Sequence, residues 1–261
     1  MQGYQRCFHL TYSGFDVGVL FAIGLEFRAF VSALKRKATH FELKKGCAFA
    51  TAESTKVVAI VCGIGWERAE RAAKHLAEQD VRTIVSAGIA GALDPKLEVA
   101  DLVVARHVTA EPQTGFNPIT CDGFLCLPNL RLSQNDRPIY YGDILTCRSL
   151  VCTREDKRRL FETTCAQAVD MESYAIGRVC KERDVRFCAV KAISDTAEQN
   201  LPQIISECGA LNTQMKYILR RPMTCLELTK LCVQARCAAK KLAEFLVSTF
   251  FTEYREVPDR P

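Results

Sequence analysis

The chain has 261 residues, of which 48% are hydrophobic and 25% are charged, and this length and composition suit a folded globular protein. Its formal net charge of +5 comes from 35 basic and 30 acidic side chains that are interspersed, so no nucleic-acid partner is expected. The histidines are scattered and the cysteines form no Cys-x-x-Cys pair, which argues against a metal site. Because most cysteines lie in apolar runs, we expect free thiols and a cytoplasmic protein.

The first apolar run, VGVLFAIGL, occupies residues 17–25 between Asp16 and Glu26. It is too short to span a bilayer and no cleavage pattern follows it, so we predict neither a membrane helix nor a signal peptide. The run is interpreted as a strand that is followed by a helix from about Glu26.

Further along the chain, short β-branched runs alternate with alanine-rich stretches. Strands are predicted at 57–61, 83–88, 100–108 and 187–194, and an amphipathic helix at 66–79. This alternation predicts an α/β fold in which helices cover a largely parallel or mixed sheet. The cluster Arg154–Arg159, in which bases and acids alternate, is interpreted as a solvated face.

The segment after Asn200 is predicted to end in a long helix. Thr224 and Glu227 have the spacing of a capping box that would begin it. Apolar side chains then recur every three or four residues, at Leu228, Leu231, Cys232, Ala235, Ala239, Leu242 and Leu246. We interpret this helix as packed on its own domain, with peripheral membrane contact as the alternative. The chain is thus predicted to be one domain, residues 1–261, with 201–261 as a helical C-terminal extension.

Two glycine-rich segments follow predicted strands. CGIGWER, residues 62–68, opens a helix but has Arg68 where a dinucleotide fingerprint has its third glycine. SAGIAGALDP, residues 86–95, is predicted to be a turn whose small residues let backbone amides approach a ligand closely. Tight turns without a ligand are the alternative interpretation of both segments.

Three acids, Glu26, Glu172 and Asp195, each come at the end of an apolar run, beside small or apolar neighbours. Strand ends face the ligand crevice in open α/β sheets, so acids there are site candidates. The alternative is that each acid caps backbone amides. Their similar settings favour a functional site.

The chain resembles the nucleoside phosphorylase and nucleosidase superfamily, which contains methylthioadenosine/S-adenosylhomocysteine nucleosidase. The matching segments appear in the family's order: AIGLEFRAF, VCGIG, GIAGALDPKLEVADLVVA, AVDMES and VKAISDTAE. The resemblance implies a three-layer sandwich with a central mixed β-sheet flanked by helices. It also implies cleavage of the bond between a purine and its ribose, without a cofactor.

Within the superfamily the chain is most similar to the hopanoid-associated phosphorylases. GDILTCRSLVCTREDKRRLF, ISDTAEQNLP and the late YILRRP carry this resemblance. It implies that the enzyme removes adenine from adenosylhopane, a nucleoside with a lipid 5′ substituent, in hopanoid biosynthesis. The alternatives are a methylthioadenosine/S-adenosylhomocysteine nucleosidase and a nucleoside-binding module without catalysis. Because members of the superfamily assemble into oligomers, the resemblance implies a homodimer.

The resemblance also implies roles for individual residues. Asp195 matches the acid that protonates or hydrogen-bonds the purine N7, and Glu172 the carboxylate that binds the two ribose hydroxyls. Glu26 matches the group that activates water in the nucleosidases. Further residues are assigned to substrate binding, namely Met171 as an apolar wall for the sugar, Gly88, Ile89, Ala90, Leu145 and Ser194.

Two departures from the family pattern concern the attacking group and the base. Where the purine phosphorylases carry an arginine and a serine, this chain has Ser86 and Ile89, so the pocket for inorganic phosphate, the candidate co-substrate, is incomplete. Arg28 or Lys191 could supply the missing charge, and both hydrolysis and phosphorolysis stay open. Leu145 stands where the nucleosidases stack an aromatic ring on adenine.

The segment AVDMES contains Asp170 and Glu172 two residues apart. Side chains at that spacing diverge on a strand and on a helix alike, so the two acids are not expected to act as a pair. We predict that Glu172 reaches the ribose and that Asp170 caps or anchors the segment.

Overall fold

The computed structural model of the protein describes residues 14–44, 46–52, 55–111, 117–122, 139–202 and 222–251. The segment YILRRP, cited above for the closer resemblance, lies outside these ranges except for its proline. Most of the predicted start of the C-terminal extension also lies outside them.

Ten strands in the described ranges form one mixed sheet. In chain order they are β1 Phe15–Phe21, β2 His40–Lys44, β3 Cys47–Ala52, β4 Thr55–Val61, β5 Val81–Ala92, β6 Leu102–Ala110, β7 Ile119–Thr120, β8 Ile139–Thr146, β9 Ala168–Asp170 and β10 Arg186–Asp195. The helices are α1 Gly24–Leu34, α2 Trp66–Ala77, α3 Arg154–Thr164, α4 Ser173–Glu182 and α5 Pro222–Phe250.

Strand β5 is the centre of the sheet. It runs parallel to β1 on one side and to β10 on the other, and its last two residues pair with β9. Because β10, β6, β8 and β9 also pair in succession, these four strands and β5 close into a ring. The antiparallel hairpin β2–β3 extends the opposite edge through β4.

Helices cover both faces of the sheet. The buried faces of α2 and α4 share one hydrophobic cluster with the sheet, around Trp66, Leu76 and Ile176. A second cluster joins α1 and α5 to the other face, where the rings of Phe30 and Phe250 are 6.3 Å apart. The predicted three-layer α/β sandwich is therefore confirmed.

The predicted strands and the amphipathic helix are observed with small changes at their ends. The prediction of a turn at 86–95 is wrong, because β5 continues through these small residues to Ala92. Residues from Ser86 to Gly91 stay extended because they pair with β10 along this stretch. The ladder satisfies backbone groups that a turn would have exposed.

Helix α5 begins at Pro222, two residues before Thr224, so the predicted cap at Thr224 is wrong. Its second half buries the predicted face, including Ala239, Leu242 and Leu246, against α1 and β10. Cys232 in the first half is exposed. None of the helices in the described ranges is long and apolar enough to cross a membrane.

Candidate functional site

Glu26 lies in the first turn of α1, directly after β1. Its Oε2 accepts a hydrogen bond of 2.9 Å from the backbone N–H of Ile23, and its Oε1 accepts one of 2.9 Å from that of Ile89 on β5. The carboxylate lies so close to β5 that a Cβ atom at Gly88 would come within 2.9 Å of Oε1. Burial raises the pKa of Glu26 above its ordinary value, although both N–H groups oppose this.

The first glycine segment holds Glu172. Gly63 and Gly65 have φ values of +92° and +100°, which favour glycine, and they turn the chain between β4 and α2. The N–H of Gly65 then donates a 2.7 Å hydrogen bond to Glu172 Oε1. Burial, followed by the negative charge of Asp170, raises the pKa of Glu172 to about 7. The glycine segment thus contributes to the site by placing an acid.

Asp170 anchors its segment, as predicted. It ends β9 and accepts hydrogen bonds from the hydroxyl of Thr146 at 2.7 Å and from the N–H of Ser173 at 3.0 Å. Its Oδ2 also lies 2.9 Å from the Nζ of Lys191, which is buried. Burial would raise the pKa of Asp170, but Lys191 and these donors hold it below its ordinary value.

Lys191 is the cation at the centre of this cluster. Burial alone would lower its pKa, but Asp170, Glu172 and Glu26 together raise it. We call Glu26, Asp170, Glu172 and Lys191 the sugar-side cluster, after the role that the resemblance implies for Glu172. The ammonium group of Lys191 pairs with Asp170, which makes it a poor replacement for the phosphate-binding arginine.

Ser86 is the second polar residue considered for a phosphate pocket. Its hydroxyl is buried and lies 2.9 Å from that of Ser173, at the start of α4. Arg28 is exposed on α1. Within the described part of the chain, no hydrogen bond or ion pair joins either side chain to Glu26, whose oxygens accept from Ile23 and Ile89. Completion of a phosphate pocket by these residues stays a prediction.

Asp195 ends β10, as the sequence predicts, and is buried. Its Oδ1 accepts a 2.6 Å hydrogen bond from Ser194 Oγ, which also lies 3.1 Å from the carbonyl oxygen of Ala90. Its Oδ2 lies 2.6 Å from the Nζ of Lys157 and would be 3.1 Å from a Cβ at Gly91. We call Asp195, Ser194 and Lys157 the base-side cluster, after the role that the resemblance implies for Asp195.

Strand β5 lies next to an acid of each cluster. Glu26 approaches it at Gly88 and Asp195 approaches it at Gly91, so both acids use positions without a Cβ. The two acids are therefore placed along the same strand, beside positions three residues apart in the chain.

The remaining predicted residues differ in their positions. Met171 is half-buried, its N–H donates a 3.3 Å hydrogen bond to Glu172 Oε2, and its contact with a sugar stays a prediction. Leu145 pairs with Val169 in the sheet and is fully buried in a small apolar cluster with Leu93. It presents no surface to a base in this arrangement, and its role in substrate binding stays a prediction.

Sequence reasoning missed Lys157. The interpretation of Arg154–Arg159 as a solvated face is wrong at this position, because Lys157 is fully buried while Arg158 beside it is exposed. In a segment of alternating charges, the charge pattern does not indicate that one lysine faces inward. The helical spacing from Leu160 and Phe161, which pack inward, is the only signal that could have marked this side of α3.

Comparison with known proteins identifies the family to which this fold belongs. The profile of the phosphorylase superfamily matches residues 16–214. The chain therefore belongs to the phosphorylase superfamily, which confirms the resemblance at this level.

Individual relatives support the same placement. The 5′-methylthioadenosine/S-adenosylhomocysteine nucleosidase of Mycobacterium bovis is 28% identical over 182 residues, 56% of this chain and 71% of the relative. The solved 5′-methylthioadenosine/S-adenosyl homocysteine nucleosidase of Helicobacter pylori has a TM-score of 0.69 at 18% identity and covers 91% of this chain and 98% of its own. Futalosine hydrolase of the same organism has a TM-score of 0.68 at 18% identity, covering 92% and 98%.

Proposed function

We propose that this protein is an enzyme that cleaves the N-glycosidic bond of an adenine nucleoside. The observation that carries the proposal is the placement of Glu26 and Asp195 against the glycine positions of one strand, with Glu172 held by the neighbouring glycine segment. Such a bond breaks when the base leaves with a proton or hydrogen bond while the ribose gains oxocarbenium character. The proposed reaction uses one acidic residue beside the purine, one beside the ribose and one beside the attacking group.

Glu172 is the proposed ligand of the ribose. A carboxylate has two oxygens that suit two neighbouring hydroxyls, and its bonds to them are charge-assisted when it is ionised. With a pKa of about 7, Glu172 exchanges its proton in the neutral range, and hydroxyl donors from the sugar would favour its charged form. Met171, beside it, is proposed to contact the sugar's apolar face.

Asp195 is the proposed acid at the base. It hydrogen-bonds the purine N7 and donates a proton as the bond between C1′ and N9 breaks, so that adenine leaves as a neutral molecule. Ser194 fixes one carboxylate oxygen by a 2.6 Å hydrogen bond. This geometry keeps the rotamer of Asp195 constant during the reaction.

Hydrolysis is the form of the reaction that the site supports better. Glu26 has a raised pKa and occupies the N–H of Ile89, a donor that an incoming phosphate could otherwise use. Lys191 is engaged by Asp170. Glu26 is therefore proposed as the base that takes a proton from the attacking water, whereas phosphorolysis would require cations from elsewhere.

The 5′ substituent of the substrate is a separate part of the proposal. The resemblance to hopanoid-associated enzymes supports adenosylhopane. The names of the relatives support a second candidate, methylthioadenosine or S-adenosylhomocysteine. Both share the adenosine moiety that the described carboxylates would bind.

One experiment tests the reaction and the substrate together. Purified protein is incubated with adenosylhopane, methylthioadenosine or S-adenosylhomocysteine, each with and without phosphate, and free adenine is measured. Release that does not depend on phosphate supports hydrolysis, and obligatory dependence on phosphate contradicts it. If the protein binds these nucleosides but releases no adenine, it is a binding module and the proposed activity is wrong.

A further inference from the structure

Lys157 is a buried charge that the proposed roles do not yet use. It projects from α3, a helix whose other basic residues are exposed, and its side chain is completely buried. Burying an ammonium group costs several kcal/mol unless it is fully paired. Its neighbours must therefore explain why a lysine stands here.

Three oxygen atoms accept hydrogen bonds from the Lys157 ammonium group, which matches its three protons. They are Asp195 Oδ2 at 2.6 Å, the carbonyl oxygen of Thr196 at 2.8 Å and that of Gln199 at 3.0 Å. The lysine is thus fully satisfied and joins the acid to the loop that follows it. An apolar residue could fill the space but could not hold these oxygens.

The same loop is tied to the C-terminal helix. The side-chain amides of Gln199 and Gln234 on α5 exchange two hydrogen bonds, of 3.1 Å and 3.2 Å. Lys157 therefore stands between the acid and a loop that α5 also restrains. Asp195 is thus linked through Lys157 to this loop and, through Gln199, to α5.

We propose that Lys157 is a positioning residue for the leaving-group step and acts through Asp195. This inference rests on the proposed function. When the C1′–N9 bond breaks, N9 keeps the bonding electron pair, Asp195 gives N7 a proton taken earlier from solvent, and Asp195 becomes a carboxylate. The ammonium group of Lys157 stabilises that carboxylate as it forms and holds it in line with the base.

The proposal predicts different effects on two substrates, one whose purine must be protonated before it leaves and one whose purine need not be. An ordinary adenine nucleoside needs the proton from Asp195. The same nucleoside methylated at N7 already carries a positive charge on the purine, so its base leaves without an acid. A residue that acts through Asp195 should matter for the first substrate and hardly for the second.

The test measures kcat for methylthioadenosine and for its N7-methylated form with Lys157→Met. We expect kcat to fall about 100-fold or more for the first substrate and less than about threefold for the second, since general acid catalysis contributes about 10² to 10⁴. The ratio of the two kcat values does not depend on the fraction of folded protein. Lys157→Arg, which keeps the charge, should recover part of the loss.

The controls distinguish this inference from the proposed function. Arg158→Met, on the exposed side of the same helix, should leave both rates unchanged. If Asp195→Asn shows the selective loss and Lys157→Met slows both substrates equally, Lys157 is only structural and the inference is overturned. If Asp195→Asn itself slows both equally, the proposed acid role of Asp195 is wrong and the inference fails with it. If the unaltered protein releases no adenine from any of the nucleosides named above, the proposed function fails.

The double variant Lys157→Met/Asp195→Asn completes the test. If the lysine acts through the acid, the double variant should be no slower on methylthioadenosine than Asp195→Asn, because the two effects share one interaction. Multiplication of the two losses would overturn the proposal.

Discussion

The sugar-side and base-side clusters differ in how their buried acids are paired with lysines. On the sugar side one lysine, Lys191, lies near three acids, and among the described residues its ammonium group forms an ion pair only with Asp170. Glu26 and Glu172 are left with raised pKa values, caused mainly by burial. On the base side Asp195 has a lysine of its own. The ratio of acids to cations therefore differs between the two ends of the proposed nucleoside site.

This difference gives the acids distinct chemistry. An acid with a raised pKa binds a proton more readily than an ordinary carboxyl group does, as the proposed base for water requires. An acid beside a dedicated ammonium group has a stabilised charged form, which suits the state that remains after proton donation. Asp170, which receives the shared cation, keeps a lowered pKa and a structural role.

The largest effect is expected from removing the shared cation. Lys191→Met leaves the buried Asp170 without its counter-ion, and such a loss costs about 3 to 5 kcal/mol. Urea denaturation at pH 7 should show this decrease in the free energy of unfolding. Arg28→Met, at an exposed arginine, serves as the control and should change the free energy by less than about 0.5 kcal/mol. A similar value for both variants would mean that the sugar-side cluster does not need Lys191.

The second effect concerns the attacking group. Glu26→Gln keeps the shape of the side chain but removes the base, so we expect kcat to fall about 10² to 10⁴-fold in buffer without phosphate. Adenine release followed by absorbance or chromatography measures it. If phosphate restores the rate of this variant to that of the parent, the base is dispensable and the reaction is phosphorolytic.

The third effect is on stability and depends on pH. Glu172 has a folded pKa of about 7 against an ordinary value of 4.5. Below pH 4.5 it is protonated in both the folded and unfolded states and costs nothing. As the pH rises from 4.5 to 7 the unfolded chain loses the proton first, so the folded state loses stability, by about 1 to 3 kcal/mol in all.

Glu172→Gln removes this cost. The variant should be more stable than the parent at pH 8 and equal to it at pH 4, as thermal unfolding at the two values would show. It should also lose adenine release, because the ribose hydroxyls lose their charged acceptor. Equal stability of parent and variant at both pH values would contradict a raised pKa.

The smallest effect tests the approach of Glu26 to β5. In Gly88→Ala the added Cβ would lie 2.9 Å from Glu26 Oε1, so the carboxylate must move. We expect kcat to fall about tenfold or more, with a loss of stability of about 1 kcal/mol. Gly24→Ala is the matched control, since its Cβ would meet only the mobile end of the exposed Arg28 side chain. Full activity of Gly88→Ala would show that Glu26 need not be held there.

Much of the fold follows from local patterns along the chain. The sequence predicts the apolar strands and the amphipathic helix α2 because hydrophobic residues repeat with the period of each element. The turn predicted at 86–95 is wrong because the local sequence does not show that β10 and β1 pair with these small residues. Thr224 was misread as a cap because helix propensity does not mark where α5 begins.

The sequence by itself determined the α/β class, the superfamily and the three candidate acids, since these depend on periodicity and on ordered motifs. The tertiary structure alone decided which lysine accompanies which acid. Lys157 is 38 residues from Asp195 in the chain, and the pair forms only because the fold brings this position of α3 next to the end of β10. Charge pairing between distant segments depends on how the elements pack, and burial then sets how strongly each charge is felt.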